Sequence, residues 1–179
     1  MKILTLLRHA KSGWDDPALR DFERPLNKRG RRAARTIGRE MRSLGLGFDA
    51  VIASPAVRVV ETIADVAEGY GAPIRPVYDE RAYLATPATL LELVRATDDG
   101  ADRLLLIGHN PGLESLALLL TCDEQGDGLR RELEIKYPTA TIAEIALEVD
   151  HWGDVDAGAG RLSRFIRPRD VDPELGPEE

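Results

Sequence analysis

Ile3-Leu4-Thr5-Leu6-Leu7-Arg8-His9 begins the chain with an apolar run that ends at a cation and an imidazole. A short run of consecutive apolar residues is typical of a central β-strand that is covered on both faces. Much later in the chain, Leu104-Leu105-Leu106-Ile107-Gly108-His109 repeats the pattern, and a histidine again follows the apolar run. The two stretches therefore predict two buried strands, each with a histidine at its carboxyl end.

Helices are predicted between the strands, because start signals stand ahead of apolar residues at helical spacing. The signals are Asn27 for a helix to about residue 44, Ser54-Pro55 for a helix to about residue 69, Thr86-Pro87, and Asn110-Pro111 for a helix to about residue 120. Further strands are predicted at 51–53, 74–77, 139–149 and 161–166. This alternation predicts an α/β fold of three layers, α/β/α, with a mostly parallel central sheet and helices on both faces. We expect one domain over residues 1–169 and a mobile, acidic C-terminal tail over residues 170–179.

The composition argues against several classes of function. The 179 residues include 24 lysines and arginines against 31 aspartates and glutamates, which gives a net charge of −7. An acidic chain is a poor match for nucleic acid or for an anionic membrane surface, so neither partner is predicted. No apolar run approaches the roughly 18 residues of a membrane span, and the single cysteine, Cys122, fits a reducing compartment. A cytoplasmic location is therefore predicted.

Charged and imidazole side chains follow several of the predicted strands. They are Arg8 and His9 after the first strand, Arg58 one helical turn beyond the strand at 51–53, Asp79 and Glu80 after the strand at 74–77, and His109 after the strand at 104–107. Ligands of a parallel sheet bind in the crevice outside the carboxyl ends of its strands. We therefore expect these side chains to meet at one edge of the sheet.

Taken singly, each of these residues is more often a surface or packing residue than a ligand-binding one, but two positions favour a bound anion. Arg58 lies in the first turn of its predicted helix, where the macrodipole disfavours a cation unless an anion is also present. His109 lies between a strand and a helix start, where free backbone N–H groups favour an anion. Because arginine can bind two phosphate oxygens at once, the combination predicts a phosphate site.

The sequence also narrows the chemistry at that site. It contains no glycine-rich nucleotide loop and no zinc or two-metal spacing, so no cofactor and no metal are predicted. Cys122 follows an apolar run without a phosphate-cradling loop, which argues against a cysteine nucleophile. Histidine is the remaining nucleophile, and neighbouring positive charge would keep its imidazole neutral.

Three motifs of the chain resemble those of a known family. Leu7-Arg8-His9-Ala10-Lys11-Ser12 resembles the arginine-histidine-glycine signature of the histidine phosphatase superfamily, which has the phosphoglycerate-mutase-like fold. Ser54-Pro55 with Arg58 and Glu61-Thr62 is similar to its second motif, and Gly108-His109-Asn110 to its third. The short chain, together with Arg24-Pro25-Leu26 and Tyr83-Leu84-Ala85, is most similar to the SixA-type phosphohistidine phosphatases.

The resemblance implies a role for each matching residue. His9 would be the nucleophile that becomes a transient phosphohistidine, and the phosphoryl oxygens would be held by Arg8, Arg58 and His109. Glu80 would be the general acid, with Asp79 as an open alternative. Ala10 departs from the family's glycine, so an ordinary backbone conformation is expected there.

The resemblance also implies a substrate. The large insertions that roof the active site in sugar-phosphate mutases are absent, and an open site suits phosphohistidine on a protein. A phosphatase of small phosphate esters, or a phosphate-binding module with little turnover, remain the alternatives. Lys11, Ser12 and Arg24 are weaker candidates for the site, and Trp14 is either a rim aromatic for a partner protein or a loop anchor.

Overall fold

The computed structural model of the chain describes residues 1–122 and 128–176. Its strands are β1 (Lys2–Arg8), β2 (Ala50–Ala53), β3 (Val77–Tyr78), β4 (Arg103–Gly108), β5 (Ile142–Leu147) and β6 (Gly160–Ile166). Its α-helices are α1 (Lys28–Ser43), α2 (Val57–Tyr70), α3 (Pro87–Arg95), α4 (Gly112–Leu120), α5 (Gly128–Ile135) and α6 (Pro168–Val171).

These strands form one sheet in the order β3-β2-β4-β1-β5-β6. The first four strands of that order pair in parallel, because a helical crossover returns the chain to the same edge of the sheet each time. β5 and β6 pair antiparallel, at the end where the chain has no such crossover. The predicted α/β fold with a mostly parallel sheet is confirmed.

The core lies on both faces of this sheet. β4 is buried on both sides: Leu104 and Leu106 pack in one cluster with α3 and α4, and Leu105 and Ile107 pack in the other with α1 and α2. The consecutive leucines of the predicted strand therefore serve two cores, as expected of a parallel strand covered by helices. The three-layer arrangement is confirmed.

Several predicted boundaries are wrong, and β5 covers only Ile142–Leu147 instead of 139–149. α2 begins at Val57 rather than at Pro55, and its N-cap is Ala56, because the Ser54 hydroxyl is hydrogen-bonded to His109 and to the Ala56 N–H. β3 covers only Val77–Tyr78 instead of 74–77. The predicted caps Asn27 and Thr86 are confirmed, since their side chains accept hydrogen bonds from the N–H groups of residues 30 and 89.

The C-terminal segment, for which the prediction is a mobile tail, contacts α1. As far as Gly176, the acidic tail expected to be mobile packs against α1, with Leu175 buried. Arg32 of α1 bonds both Asp172 and Glu174 at 2.7 Å. The basic first half of α1 supplies counter-ions to the tail, and this tertiary contact is not visible in the sequence of the tail itself. The last three predicted tail residues, 177–179, lie outside the described residues.

Candidate active site

A cavity of about 350 Å³ opens at the carboxyl ends of β1 and β4. Four residues predicted to meet at this edge, Arg8, His9, Arg58 and His109, all line it. The rings of His9 and His109 lie 5.3 Å apart between centroids. The remaining lining residues are Lys11, Ser12, Trp14, Asp21, Arg24, Leu84, Asn110 and Thr139.

His9 is held in one tautomer by the backbone that follows it. Its Nδ1 lies 2.7 Å from the Ala10 carbonyl oxygen, which can only accept, so Nδ1 carries the hydrogen and Nε2 keeps its lone pair. Burial, together with the positive charges of Arg58 and Arg8, lowers the pKa of His9 to about 4, although the hydrogen bond to the Ala10 carbonyl opposes this shift. The imidazole is therefore neutral near pH 7, the form in which it can act as a nucleophile.

The turn after His9 is fixed to the neighbouring helices. The Ala10 N–H donates to Thr62 Oγ1 at 2.9 Å, and the Thr62 hydroxyl in turn donates to the Arg58 carbonyl at 2.6 Å. A Cβ at Gly30 would collide with the Lys11 carbonyl, so glycine at that position lets the start of α1 approach the loop. These contacts position His9 against the first turn of α2.

Arg58 is buried and has a counter-ion that the sequence did not reveal. Its guanidinium donates to the Asp21 carbonyl at 2.7 Å and to the Asp21 carboxylate at 3.0 Å. Asp21 also accepts from Arg24 Nε at 3.1 Å and from the Tyr83 hydroxyl. Although partial burial opposes it, the hydrogen bonds from Tyr83, Arg58 and Arg24 lower the pKa of Asp21 to about 2. Asp21 is therefore ionised near pH 7, where it holds Arg58 and Arg24 by hydrogen bonds and has no proton to donate.

His109 lies between Arg58 and Ser54. Arg58 Nη2 lies 3.3 Å from its Nδ1, and Ser54 Oγ lies 2.7 Å from its Nε2. Because a guanidinium only donates, Nδ1 accepts and Nε2–H donates to the serine hydroxyl. Burial, together with the nearby His9 and Arg58, lowers the pKa of His109 to about 3, so this ring is also neutral near pH 7.

Arg8 completes the cationic side of the cavity. Its Nη1 donates to the Tyr137 carbonyl at 2.9 Å, and Asn110 Nδ2 donates to the same oxygen at 3.0 Å. Among the described residues, the Nε atoms of Arg8 and Arg58 are buried without a hydrogen-bond acceptor. Buried donors are normally satisfied, so two unsatisfied ones on arginines that line the same cavity favour a bound anion there.

Comparison with known proteins decides the family. The sequence profile of the histidine phosphatase superfamily (branch 1) matches residues 4–81, which contain His9 and Arg58. An uncharacterized protein of Mycobacterium tuberculosis is 37% identical over 164 residues, covering 91% of this chain and all of the relative. The chain belongs to the histidine phosphatase superfamily.

Solved structures of this superfamily have the same fold as this histidine phosphatase. The protein assigned as phosphohistidine phosphatase SixA in Nakamurella multipartitia superposes with a TM-score of 0.78 at 28% identity, over 93% of this chain and 96% of that one. The corresponding protein of Agrobacterium tumefaciens gives 0.76 at 28% identity, over 93% and 98%. The predicted resemblance to SixA-type proteins is thus confirmed, and the chain is a hydrolase of the phosphatase class.

In this histidine phosphatase the predicted general acid, Glu80, lies outside the cavity that the phosphate-site candidates line. Glu80 is exposed in a 3-10 helix (Glu80–Ala82) after β3 and does not line the cavity. Asp79 is engaged by Arg81, whose Nη2 lies 2.7 Å from the carboxylate. The structure brings together the four phosphate-site candidates and leaves both carboxylates of this segment outside their cavity.

The weaker candidates of the first loop do line the cavity of the histidine phosphatase. Lys11, Ser12 and Arg24 belong to its wall, and Arg24 Nη1 donates to the Ser12 hydroxyl at 2.8 Å. Trp14 is 72% exposed and lies over the Arg24 guanidinium at 3.5 Å from the ring centroid.

Within the described residues, none of the helices combines the length and hydropathy that crossing a bilayer requires.

Proposed function

We propose that this protein removes phosphate from phosphohistidine on another protein, through a phospho-His9 intermediate. In the first step His9 Nε2 attacks phosphorus, a new N–P bond forms, and the P–N bond to the substrate imidazole breaks. In the second step water attacks phospho-His9, which releases inorganic phosphate and returns the neutral imidazole.

The observation that carries the proposal is the state of His9. Its Nδ1–H is engaged by the Ala10 carbonyl, and its pKa of about 4 keeps Nε2 unprotonated near pH 7. Arg8 and Arg58 lie in the same cavity with fixed guanidinium groups. Such preorganised cations stabilise the charge that develops on the transferring phosphoryl oxygens.

The missing proton donor favours phosphohistidine over a phosphate ester. An alkoxide leaving group needs a proton as the P–O bond breaks, but Asp21 is held ionised by the arginines and Glu80 lies outside the cavity lining. A phosphohistidine ring has a second nitrogen that solvent can protonate, so it departs as neutral imidazole. A phosphohistidine substrate therefore needs no proton donor from the cavity, whereas a phosphate ester does.

The rim of the cavity favours a substrate carried on a protein. Two large apolar side chains, Trp14 and Leu84, line the cavity and are 72% and 54% exposed. Leu84 has a φ of 47°, a left-handed conformation that is unusual for a residue with a side chain. Aromatic side chains such as Trp14 are enriched in protein–protein interfaces, so these two exposed side chains favour a substrate carried on a protein.

A substrate panel tests the proposal. Wild type and H9A are assayed, with a chelator present, on a phosphohistidine peptide, a phosphoserine peptide and an aryl phosphate. We expect preferred turnover of the phosphohistidine peptide by wild type, none by H9A, and a labelled phospho-His9 that can be trapped after rapid acid-free quenching. Preference for the aryl ester without peptide turnover would support a small-molecule phosphatase, and tight phosphate binding without a trapped intermediate would support a binding module.

A further inference from the structure

A second, larger cavity adjoins the catalytic one. It measures about 580 Å³ and shares Arg8, Lys11 and Thr139 with the catalytic cavity. Six of its described lining residues are basic and none is acidic: Arg8, Lys11, Arg29, Lys136, Arg167 and Arg169. The net charge of the chain is −7, so this lining is a locally positive surface on a negatively charged protein. We call it the basic cavity.

The basic residues come from separate parts of the chain. Arg29 lies in α1, Lys136 follows α5, and Arg167 and Arg169 stand at the start of α6. Arg167 already has a counter-ion, since its Nη2 lies 2.9 Å from Asp170. Lys136 is exposed and Arg169 is half-buried, so these two side chains are within reach of a charged group from solution.

From this arrangement we infer that the basic cavity binds an acidic side chain of the phosphorylated protein, beside the phosphohistidine. The inference rests on the proposed function and adds a specificity element to it. Because the cavity shares Arg8 and Lys11 with the catalytic one, a peptide whose phosphorylated residue enters the first places its neighbouring residues at the second.

The chain itself shows which chemistry this side of α1 accepts. Its acidic C-terminal segment runs along α1, where Arg32 bonds Asp172 and Glu174, and Arg29 donates to the Gly176 carbonyl. The basic cavity is bordered by that segment at Leu175 and Gly176. Basic side chains alternate in its lining with the apolar Ala33, Pro138 and Pro168, which suits a peptide better than a compact second phosphate.

The expected signature is a change in KM without a change in kcat. An ion pair remote from phosphorus is made equally in the ground state and the transition state, so it contributes uniform binding. Its contribution should also decrease at high ionic strength, because Lys136 and Arg169 are reached by solvent.

The test compares two phosphohistidine peptides that differ only in whether glutamate or glutamine residues flank the histidine. The double variant K136Q/R169Q should raise KM for the glutamate peptide about fivefold, as expected for two partly exposed ion pairs. KM for the glutamine peptide should stay unchanged, as should kcat for both peptides. The matched control is R131Q/R161Q, which removes two exposed basic residues outside the cavity lining and should leave both KM values unchanged.

Equal rises in KM for both peptides, or the same rise in the control variant, would overturn the inference.

A binding measurement tests the acidic-residue site independently of the proposed function. Titration of both peptides into H9A, and into H9A/K136Q/R169Q, reads the preference without turnover. If wild type hydrolyses neither peptide, the proposed function fails. In the binding measurement, tighter binding of the glutamate peptide that requires Lys136 and Arg169 still supports the acidic-residue site. Equal binding of the two peptides refutes that site.

Discussion

The two adjoining cavities both contain arginines, but they hold them differently. In the catalytic cavity Arg58 is 2% exposed and its guanidinium is fixed by Asp21 and His109. In the basic cavity Arg169 is half-buried and Lys136 is exposed to solvent. Fixed, buried charge stabilises a transition state without reorganisation, whereas exposed charge is screened by water and contributes modest affinity. The first cavity should therefore govern kcat and the second KM.

The largest effect is expected from His9→Ala. Removing the nucleophile removes the covalent route, so turnover of phosphohistidine peptide should fall by at least about 10³-fold. The measurement is steady-state turnover with a chelator present. Unchanged circular dichroism and retained peptide binding serve as the control for folding. Residual activity above one tenth of wild type would refute His9 as the nucleophile.

Arg58→Lys should have the next largest effect, and it tests the contrast between the cavities directly. Lysine keeps the charge but cannot bond Asp21, His109 and a phosphoryl oxygen at once, so kcat should fall by about 10²-fold. The matched variant is Arg169→Lys, which should leave kcat unchanged because charge alone matters in the basic cavity. Similar losses of kcat in both variants would mean that the cavities do not differ in the way proposed.

Stability in acid gives a third, smaller effect. The folded pKa of His9, about 4, lies below the ordinary 6.5, so the unfolded chain binds a proton more readily than the folded one. Stability should therefore fall as pH decreases from about 6.5 towards 4, and His9 should account for roughly 2 kcal/mol of this loss at about pH 5. His9→Asn should abolish that part, as measured by urea unfolding at pH 7 and pH 5.

The exposed His151 provides the control for this measurement, because its side chain is 64% exposed and lies outside both cavities. His151→Asn should leave the loss of stability between pH 7 and pH 5 as it is in wild type. If His9→Asn and wild type lose the same free energy of unfolding, the burial of a neutral His9 is not the cause of the acid sensitivity.

The sequence predicted the phosphate-binding side chains of the catalytic cavity but not Asp21, the carboxylate that holds Arg58 in place. His9 and His109 were predictable because apolar strands place whatever follows them at one edge of the sheet, and Arg58 because a cation at a helix start needs an anion. Asp21 was not, because it begins a short 3-10 helix (Asp21–Glu23) whose position is set by tertiary contacts to Arg58 and Tyr83. Ser54 gave a misleading signal, since its hydroxyl bonds His109 rather than capping α2.

The smallest effect is expected from Glu80→Gln, which replaces the residue that the family resemblance implies as general acid. A fully engaged acid contributes about 10²–10⁴-fold, but this side chain is exposed and outside the cavity lining. We expect phosphohistidine turnover and phosphate-ester hydrolysis both to stay within about twofold of wild type, because Glu80 lies outside the cavity from which the leaving group departs. Rates on a phosphohistidine peptide and on an aryl phosphate test this expectation.

Asp79→Asn is the matched variant, because Asp79 is the neighbouring carboxylate and is already engaged by Arg81. An ester-specific loss in Glu80→Gln but not in Asp79→Asn would mean that Glu80 reaches the leaving group when an ester is bound. Equal losses on both substrates would rule out proton donation, since a phosphohistidine leaving group takes its proton from solvent. If the rates on both substrates stay unchanged, the cavity is complete without Glu80, and its substrate range is set by leaving groups that need no acid.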